Sequence, residues 1–393
     1  MSYSRPVLEE IKSRIDHSKG LIQVITGPRQ VGKTTLVKQL FQSAQWTGIY
    51  HVVEGSVAYD SGWIEAVFND AVIRQGRAHQ PVILAIDEIQ KIPNWSETIK
   101  RLYDQQKFRG ETSVQLILLG SSHWLMQRGL SESLAGRFEQ WDIGHWTFTE
   151  LQQCFDISPE EYVYFGAYPG AMEMRKEESR WKAYVLNSLI EPVITKDVLL
   201  LERIEKPAVL RKVFELGSLY SGQILSYTKL LGQLQDAKNT TTVAHYLELL
   251  QRAGLLEGLQ KFSRDNARRR SSSPKWQVMN NALLSAISGV DFKSVKSQPA
   301  LWGKWVESAV GCHLIAHRGA DLQMYYWNES NAEVDYVLKW NDKVIGIEVK
   351  SARGKVTGLN QFMKQFNPHK VYQLDERSLS WQQFIMMDPR ELF

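Results

Sequence analysis

The residues best suited to chemistry come early. Gly27-Pro28-Arg29-Gln30-Val31-Gly32-Lys33-Thr34 fits the spacing GxxxxGK[ST]. Its glycines allow a tight turn, so backbone N–H groups can converge on one anion at the start of a helix. Lys33 adds a cation for β- and γ-phosphates, and Thr34 offers a hydroxyl to Mg²⁺. With Thr35, the loop from Gly27 onward forms a nucleotide-binding set. A second feature is Val82-Ile83-Leu84-Ala85-Ile86-Asp87-Glu88, an apolar run that ends in two carboxylates. A buried strand would carry Asp87 to the sheet edge beside the loop, to hold the Mg²⁺ shell. Glu88 would then polarise the attacking water as general base. Alone, either feature is compatible with a plain glycine turn or a solvated strand end. Together they read as a pocket for ATP hydrolysis.

Two further clusters are less specific. The stretch 261–275 holds six basic residues, Lys261, Arg264, Arg268, Arg269, Arg270 and Lys275, against the single acid Asp265. That local excess of five exceeds the +4 of the whole chain. Crowded like charges repel, and a phosphate backbone such as that of DNA relieves them. The alternative is a solvated loop on a protein-contact module. The other cluster is a hairpin. A turn centred on Asn341-Asp342 sets Asp335 opposite Glu348, Val334 opposite Val349 on the apolar face, and Glu333 opposite Lys350. Opposed like charges are destabilising, and a hard cation such as Mg²⁺ would reverse that. The alternative is a solvated or ion-paired sheet face.

These groups need elements to hold them. LIQVIT, 21–26, is apolar and β-branched and leads into the glycine loop, as a buried parallel strand would. Apolar runs at 81–86 and 114–119, with helical patterns between them, predict an α/β domain with a parallel sheet over 1–148. Residues 149–205 read as helices, broken at Tyr168-Pro169-Gly170. Helical segments at 208–220, 226–234 and 240–253 then precede strands at 255–262 and 276–279. Asn239 and Thr240 suit a helix cap, and Gly254 a stop. Three helices and a two-stranded wing over 206–287 make a winged-helix pattern, with hydroxyls at Thr240, Thr241 and Thr242 for phosphates. Residues 288–393 open with a linker to 300 and continue as helix, strands, helix and strand.

Composition bounds the reading. A chain of 393 residues implies two or three domains at about 150 residues each. It is 43% hydrophobic and 23% charged, which excludes disordered, collagen-like and coiled-coil classes. With 47 basic and 43 acidic residues, no chain-wide field marks a nucleic-acid binder, so any such signal is local. The 13 Trp and 15 Tyr read as large aromatic cores. Cys154 and Cys312 stand far apart without CxxC spacing, which excludes a disulfide framework or zinc finger and fits a reducing cytoplasm. No apolar run reaches the 18 residues of a membrane span, and no secretory h-region is visible at the start. His313, His317 and His369 lack ligand spacing and read as structural.

GPRQVGKTT, ILAIDEIQK and LILLGSSHWLMQRGLSESLAGRF together resemble the AAA+ ATPases, in particular a prokaryotic branch with a C-terminal nuclease-like domain. The resemblance covers most of the chain. It implies ATP and Mg²⁺ as cofactors and a helical lid at 149–205. It implies a polar γ-phosphate sensor at the tip of the 114–119 strand, on Ser121 or Ser122. It implies an arginine that reaches a neighbouring subunit's pocket, Arg137 with Arg128 as second choice, and hence a homo-oligomeric ring, commonly of six. Arg175 and Arg180 are candidates for a lid arginine. The hairpin in turn resembles the core of PD-(D/E)xK nucleases, with Asp335 followed by Glu348-Val349-Lys350 and Glu307 as an additional acid. In that family the carboxylates hold metal and the lysine positions or activates water. Here Val334 stands where the motif has proline.

The expected architecture is therefore α/β: a P-loop AAA+ domain with a helical lid, a winged helix, and a small restriction-endonuclease-like domain at 288–393. Three functions compete. The first is an ATPase that binds or remodels DNA; the second is a signalling ATPase with protein partners; the third is an ATP-gated, metal-dependent nuclease. DNA-stimulated hydrolysis would favour the first and Mg²⁺-dependent cutting the third.

Overall fold

Most of the apolar runs become strands. The computed structural model describes residues 3–17, 20–42, 46–54, 58–78, 81–110, 114–120, 123–198, 204–234, 239–265, 272–350, 357–375 and 378–393. Among these, β1 (Ile22–Thr26), β2 (Thr47–Val52), β3 (Val82–Asp87), β4 (Val114–Leu119) and β5 (Phe138–Asp142) form one sheet. Its order is β2-β3-β4-β1-β5, and every pairing is parallel. Alternate residues of these strands point to opposite faces. Ile25, Ile83, Ala85, Ile117 and Leu119 pack with α1 (Val7–His17) and α2 (Lys33–Phe41). Val24, Leu84, Ile86 and Leu118 pack with α3 (Ser61–Ala78), α4 (Trp95–Phe108) and α5 (His123–Ser133). Helices on both faces explain why the central strands read as continuous apolar runs.

This sheet belongs to the first of two compact units, Met1–Ile143; the second is Gly144–Phe393. The second begins with α6 (Phe148–Phe155) and α7 (Pro159–Phe165). Each opens on a reciprocal cap, Thr147 with Glu150 and Ser158 with Glu161. Then come α8 (Pro169–Met172) and α9 (Glu178–Tyr184), which continues as wide π turns over Val185–Ile190 and Val193–Val198. Next are α10 (Pro207–Leu219), β6 (Gln223–Ile224), α11 (Tyr227–Leu231), α12 (Thr240–Arg252), β7 (Leu256–Leu259) and β8 (Lys275–Val278). The two residues of β6 carry no sequence signal, yet they pair with β8 to give the antiparallel order β6-β8-β7.

The last part holds α13 (Asn281–Ser288), α14 (Phe292–Ser297), α15 (Pro299–Ala316), β9 (Leu322–Glu329), β10 (Ala332–Trp340), β11 (Lys343–Val349), α16 (Thr357–Phe366), β12 (Lys370–Leu374) and α17 (Trp381–Phe384). Its sheet has the order β12-β11-β10-β9, antiparallel except for β11 with β12. The stretch 288–300, expected as a linker, instead forms α14. Asp291 caps it by accepting from the Ser294 N–H at 2.9 Å.

Helical, middle and C-terminal segments of this unit interleave. Rings of Tyr164, Phe165, Trp181 and Phe292 pack edge-on or tilted against one another. Asn281 donates to the carbonyls of Val163 and Trp305. A buried polar seam joins β8 to α15: Ser308 Oγ donates to Asn281 Oδ1 (2.6 Å), and Gln277 donates to Ser308 O (2.9 Å). Tyr336 O–H extends the seam to Gln277 Oε1 at 3.0 Å. Cys312 lies buried against it, 3.6 Å from Gln277, whereas Cys154 is exposed. No helix among the described residues is long and apolar enough to cross a membrane.

Candidate functional site

β1 ends at Thr26 and the chain turns at Gly27, with φ 145°. A Cβ there would lie 2.2 Å from Ile143 O, so only glycine fits. Gly32, with φ 94°, is the N-cap of α2 and supplies no side-chain acceptor. That is the arrangement in which an anion serves as the cap. Lys33 Nζ donates to the carbonyls of Gly27 (2.8 Å) and Pro28 (2.7 Å). The loop 27–35 thus holds its own lysine on two of its backbone carbonyls.

The strand order supplies the partner. β3 lies two places from β1, with β4 between them. This brings together residues 53 positions apart: Thr34 Oγ1 donates to Asp87 Oδ2 at 3.1 Å. A hydroxyl and a carboxylate in contact are hard oxygen donors of the kind Mg²⁺ takes, so these two residues fit that ion. Glu88 follows in the left-handed region, φ 59°, its N–H on Leu119 O at 3.0 Å. Such a backbone costs of order 1 kcal/mol for a non-glycine and recurs at functional sites. Its carboxylate accepts from Gln90 Nε2 at 3.0 Å and lies 3.5 Å from Lys91 Nζ.

One member of this site has no motif. Tyr50, on β2, donates its hydroxyl to Asp87 Oδ2, and its phenol oxygen lies 3.4 Å from Thr34 Oγ1. Burial, and then the Asp87 carboxylate, hold the phenol proton well above its ordinary range. Tyr50 is therefore a neutral donor to the Asp87 carboxylate. The only sequence signal is an aromatic in a short strand that pairs with β3.

Other expectations fare differently. Ser121 and Ser122 lie outside the described residues, as does the Arg128 side chain. Gly120 N–H on Ile25 O (3.1 Å) sets the residue before them beside β1. Arg137 does not present an open guanidinium. Its Nε and Nη2 grip both Asp104 oxygens, at 2.8 and 3.0 Å, in a fork-to-fork pair within its own chain. The hydrogen bonds lower the Asp104 carboxyl below its usual range. Arg175 is likewise tied within the second unit, to Glu161 and to the carbonyls of Met172 and Phe155.

In the second unit the hairpin pairs Tyr336 with Ile347 through Trp340 with Lys343, around Asn341 at φ 52°. The register with β9 breaks between Val334 and Val337. Beside that irregularity the expected metal set divides. Glu348 Oε1 pairs with Lys350 at 2.9 Å. Asp335 Oδ2 accepts from the Val349 N–H at 2.8 Å. Asp335 Oδ1 turns to a residue from another strand, Lys275, whose Nζ lies 3.4 Å away. The same ammonium lies 2.7 Å from Glu307 and 3.5 Å from Glu333.

Lys275 departs from the sequence expectation in two respects. It is wholly buried, with 0% exposure, and cannot meet a phosphate from the 261–275 loop. It also supplies the positive charge expected of a metal, so Glu307, Asp335 and Glu348 as arranged do not fit one shared divalent ion. Burial alone would lower the Lys275 pKa; the charges of Glu307 and Asp335 outweigh it and raise it well above the ordinary value. The base of the basic loop is docked as well. Lys261 bridges Tyr326 on β9, Phe262 packs on Phe362 and Phe366, and Arg264 lies over the Phe366 ring. Arg268, Arg269 and Arg270 lie outside the described residues.

Comparison with known proteins agrees with the loop and sheet. Residues 19–152 match the family described as an AAA domain. Residues 19–152 are thus similar to an AAA domain, and the first unit supplies the parallel α/β sheet and glycine loop of that match. Residues 158–294 and 302–382 match two families described only as domains of unknown function. An uncharacterized protein of Mycobacterium tuberculosis, Rv2008c, is 24% identical over 342 residues, 84% of this chain and 70% of its own. An uncharacterized protein of Methanocaldococcus jannaschii, MJ1637, is 25% identical over 316 residues, 68% of this chain and 63% of its own. Among solved structures, the Thermotoga maritima RuvB Holliday junction branch migration motor is 18% identical with a TM-score of 0.34, covering 65% of this chain and 89% of that one. The Aeropyrum pernix ORC1 protein in complex with DNA is 14% identical with a TM-score of 0.30, covering 73% and 91%.

Proposed function

We propose that this protein binds ATP with Mg²⁺ through the loop 27–35 and hydrolyses it, coupling hydrolysis to DNA held by its second unit. The observation that carries the ATPase reading is the Thr34–Asp87 contact at 3.1 Å, which joins loop and carboxylate at one point. Lys33 exchanges the carbonyls of Gly27 and Pro28 for phosphate oxygens. Thr34 and Asp87 would hold Mg²⁺, which when bound offsets phosphate charge and orients the phosphates. Glu88, held by Gln90 and Lys91, accepts the proton of the attacking water. Ser121 or Ser122, after β4, senses the γ-phosphate. In a homo-oligomeric ring Arg137 would exchange Asp104 for a neighbour's phosphate.

The segment 206–287 serves in this reading as a winged helix. Asn239 caps α12, where Thr241 is exposed and Thr240 and Thr242 are half-buried. Arg268, Arg269 and Arg270 provide the remaining basic charge. Hydrolysis measured with and without DNA tests the coupling, beside the Glu88→Gln chain, which should bind ATP without turnover. Replacing the three arginines with alanine should flatten log affinity against log salt by just under one unit per lost contact. An unchanged slope removes the loop from the site. Indifference of hydrolysis to DNA would favour the regulatory reading, in which docked stems at Lys261 and Arg264 leave a protein-contact surface.

A further inference from the structure

The carboxylates at the C-terminal hairpin have a cation already, and it is covalently part of the chain. Lys275 enters from β8, which pairs with β6 and β7 and lies outside the hairpin's sheet. Its ammonium meets Glu307 from α15 and Glu333 and Asp335 from β10. The Tyr336 ring lies 4.9 Å from Nζ and closes another side. Tyr336 is itself fixed by its hydroxyl, whose one proton is shared between Glu307 O (2.8 Å) and Gln277 Oε1 (3.0 Å). Gly311, inside α15, leaves the room for this. A Cβ there would stand 2.2 Å from Gln277 Oε1 and 2.6 Å from the Tyr336 oxygen. A glycine inside a helix is unfavourable by itself, so the packing requires it.

We propose that the Lys275 ammonium is the resident cation of the Glu307–Glu333–Asp335 cluster, taking the place of a divalent metal and making the cluster a clasp between β8 and the hairpin rather than a cutting site. Three points converge. Both oxygens of Asp335 already accept from in-chain donors, Lys275 and the Val349 N–H. A metal in contact with Glu307 and Asp335 would stand against the ammonium, and like charges in a poorly solvated site repel strongly. Lys275 cannot instead be a catalytic lysine, because a side chain with no exposed surface reaches neither water nor a phosphodiester. The hairpin's own lysine, Lys350, is paired with Glu348. The inference is independent of ATP hydrolysis in the first unit.

The test compares the full, nucleotide-free chain with its Asp335→Asn variant in thermal melts, with chelator and with Mg²⁺ or Mn²⁺. If Lys275 is the resident cation, the parent melts at the same temperature under all conditions. Asp335→Asn then melts lower by roughly 5 °C or more, having lost a partner of a buried charge. A metal-dependent rise in the parent that Asp335→Asn abolishes would overturn the proposal. So would a variant at least as stable as the parent, because relief of carboxylate repulsion then outweighs any pairing. A second arm uses Lys275→Met. With the ammonium gone, the cluster should gain a metal response, a rise of roughly 2–4 °C, that the Lys275→Met/Glu307→Gln/Asp335→Asn chain lacks. Mg²⁺-dependent cutting of DNA by the parent, lost in Asp335→Asn, would also overturn it.

Discussion

Lys33 and Lys275 are both buried lysines, one in the glycine loop and one among carboxylates, and their surroundings give them opposite uses. Lys33 is 9% exposed and rests on two neutral backbone carbonyls. A phosphate is a stronger, charged acceptor and can displace them. Lys275 has no exposure and rests among three carboxylates. No ligand improves on that, and removing it leaves like charges unpaired. The partner, more than the lysine, decides whether a buried ammonium is a binding group or a structural one.

The largest effect is expected at Lys275. Lys275→Met should destabilise the second unit by about 3–5 kcal/mol, the cost of leaving buried charges uncompensated. Urea unfolding followed by Trp fluorescence reads this, since Trp276 and Trp327 are fully buried. A loss below ~1 kcal/mol would place Lys275 with Lys33 as an exchangeable group. On the other side, Lys33→Ala should abolish measurable ATP binding, and Glu88→Gln should keep binding and lose about 10²–10⁴ in turnover. Parent-rate hydrolysis by Glu88→Gln would remove Glu88 as base.

A proton should also distinguish the two sites. Burial pushes Glu307 up, to about 8, and the charge of Asp335 adds to it while Lys275 opposes. A proton held more tightly in the folded chain stabilises fully below the ordinary value of 4.5 and is lost as pH rises through about 8. The second unit should therefore weaken across that window, and Glu307→Gln should flatten the curve. An equally steep curve in the variant would assign the titration elsewhere. Tyr50→Phe should cost about 1 kcal/mol of first-unit stability, one hydrogen bond, and leave the alkaline limb of the pH–rate profile unmoved, because that phenol stays protonated. Smallest is Arg137→Ala, below about 1 kcal/mol for a half-exposed pair. If it nevertheless lowered turnover tenfold with ATP binding intact, Arg137 would leave Asp104 to act elsewhere.

The glycine loop and the strands that flank it were legible because their signals are local. A β-branched run, a glycine turn and a helix are contiguous, and the apolar run before Asp87-Glu88 announces its own burial. The hairpin register followed from Asn341-Asp342 for the same reason. Tyr50 was not legible, since its role exists only once β2 lies beside β3. The charge run 261–275 misplaces Lys275, because adjacency in the chain is not adjacency in space. It sits at the end of a charge run, but it opens the strand Lys275–Val278, whose four residues are all buried. Its partners lie 32 to 60 positions away. A lysine directly before Trp276 in an apolar strand was the available clue.

The two cysteines turn the clasp into something that can be timed. Cys154 is exposed and should react at once with a thiol reagent, whereas Cys312 is buried on α15 beside Gln277. Burial also raises its thiol well above the ordinary range, so the native chain presents no thiolate there. Labelling should be biphasic, one equivalent fast and one slow. The slow phase counts excursions in which the β8–α15 seam parts, a molecular clock for the second unit that needs no engineered probe.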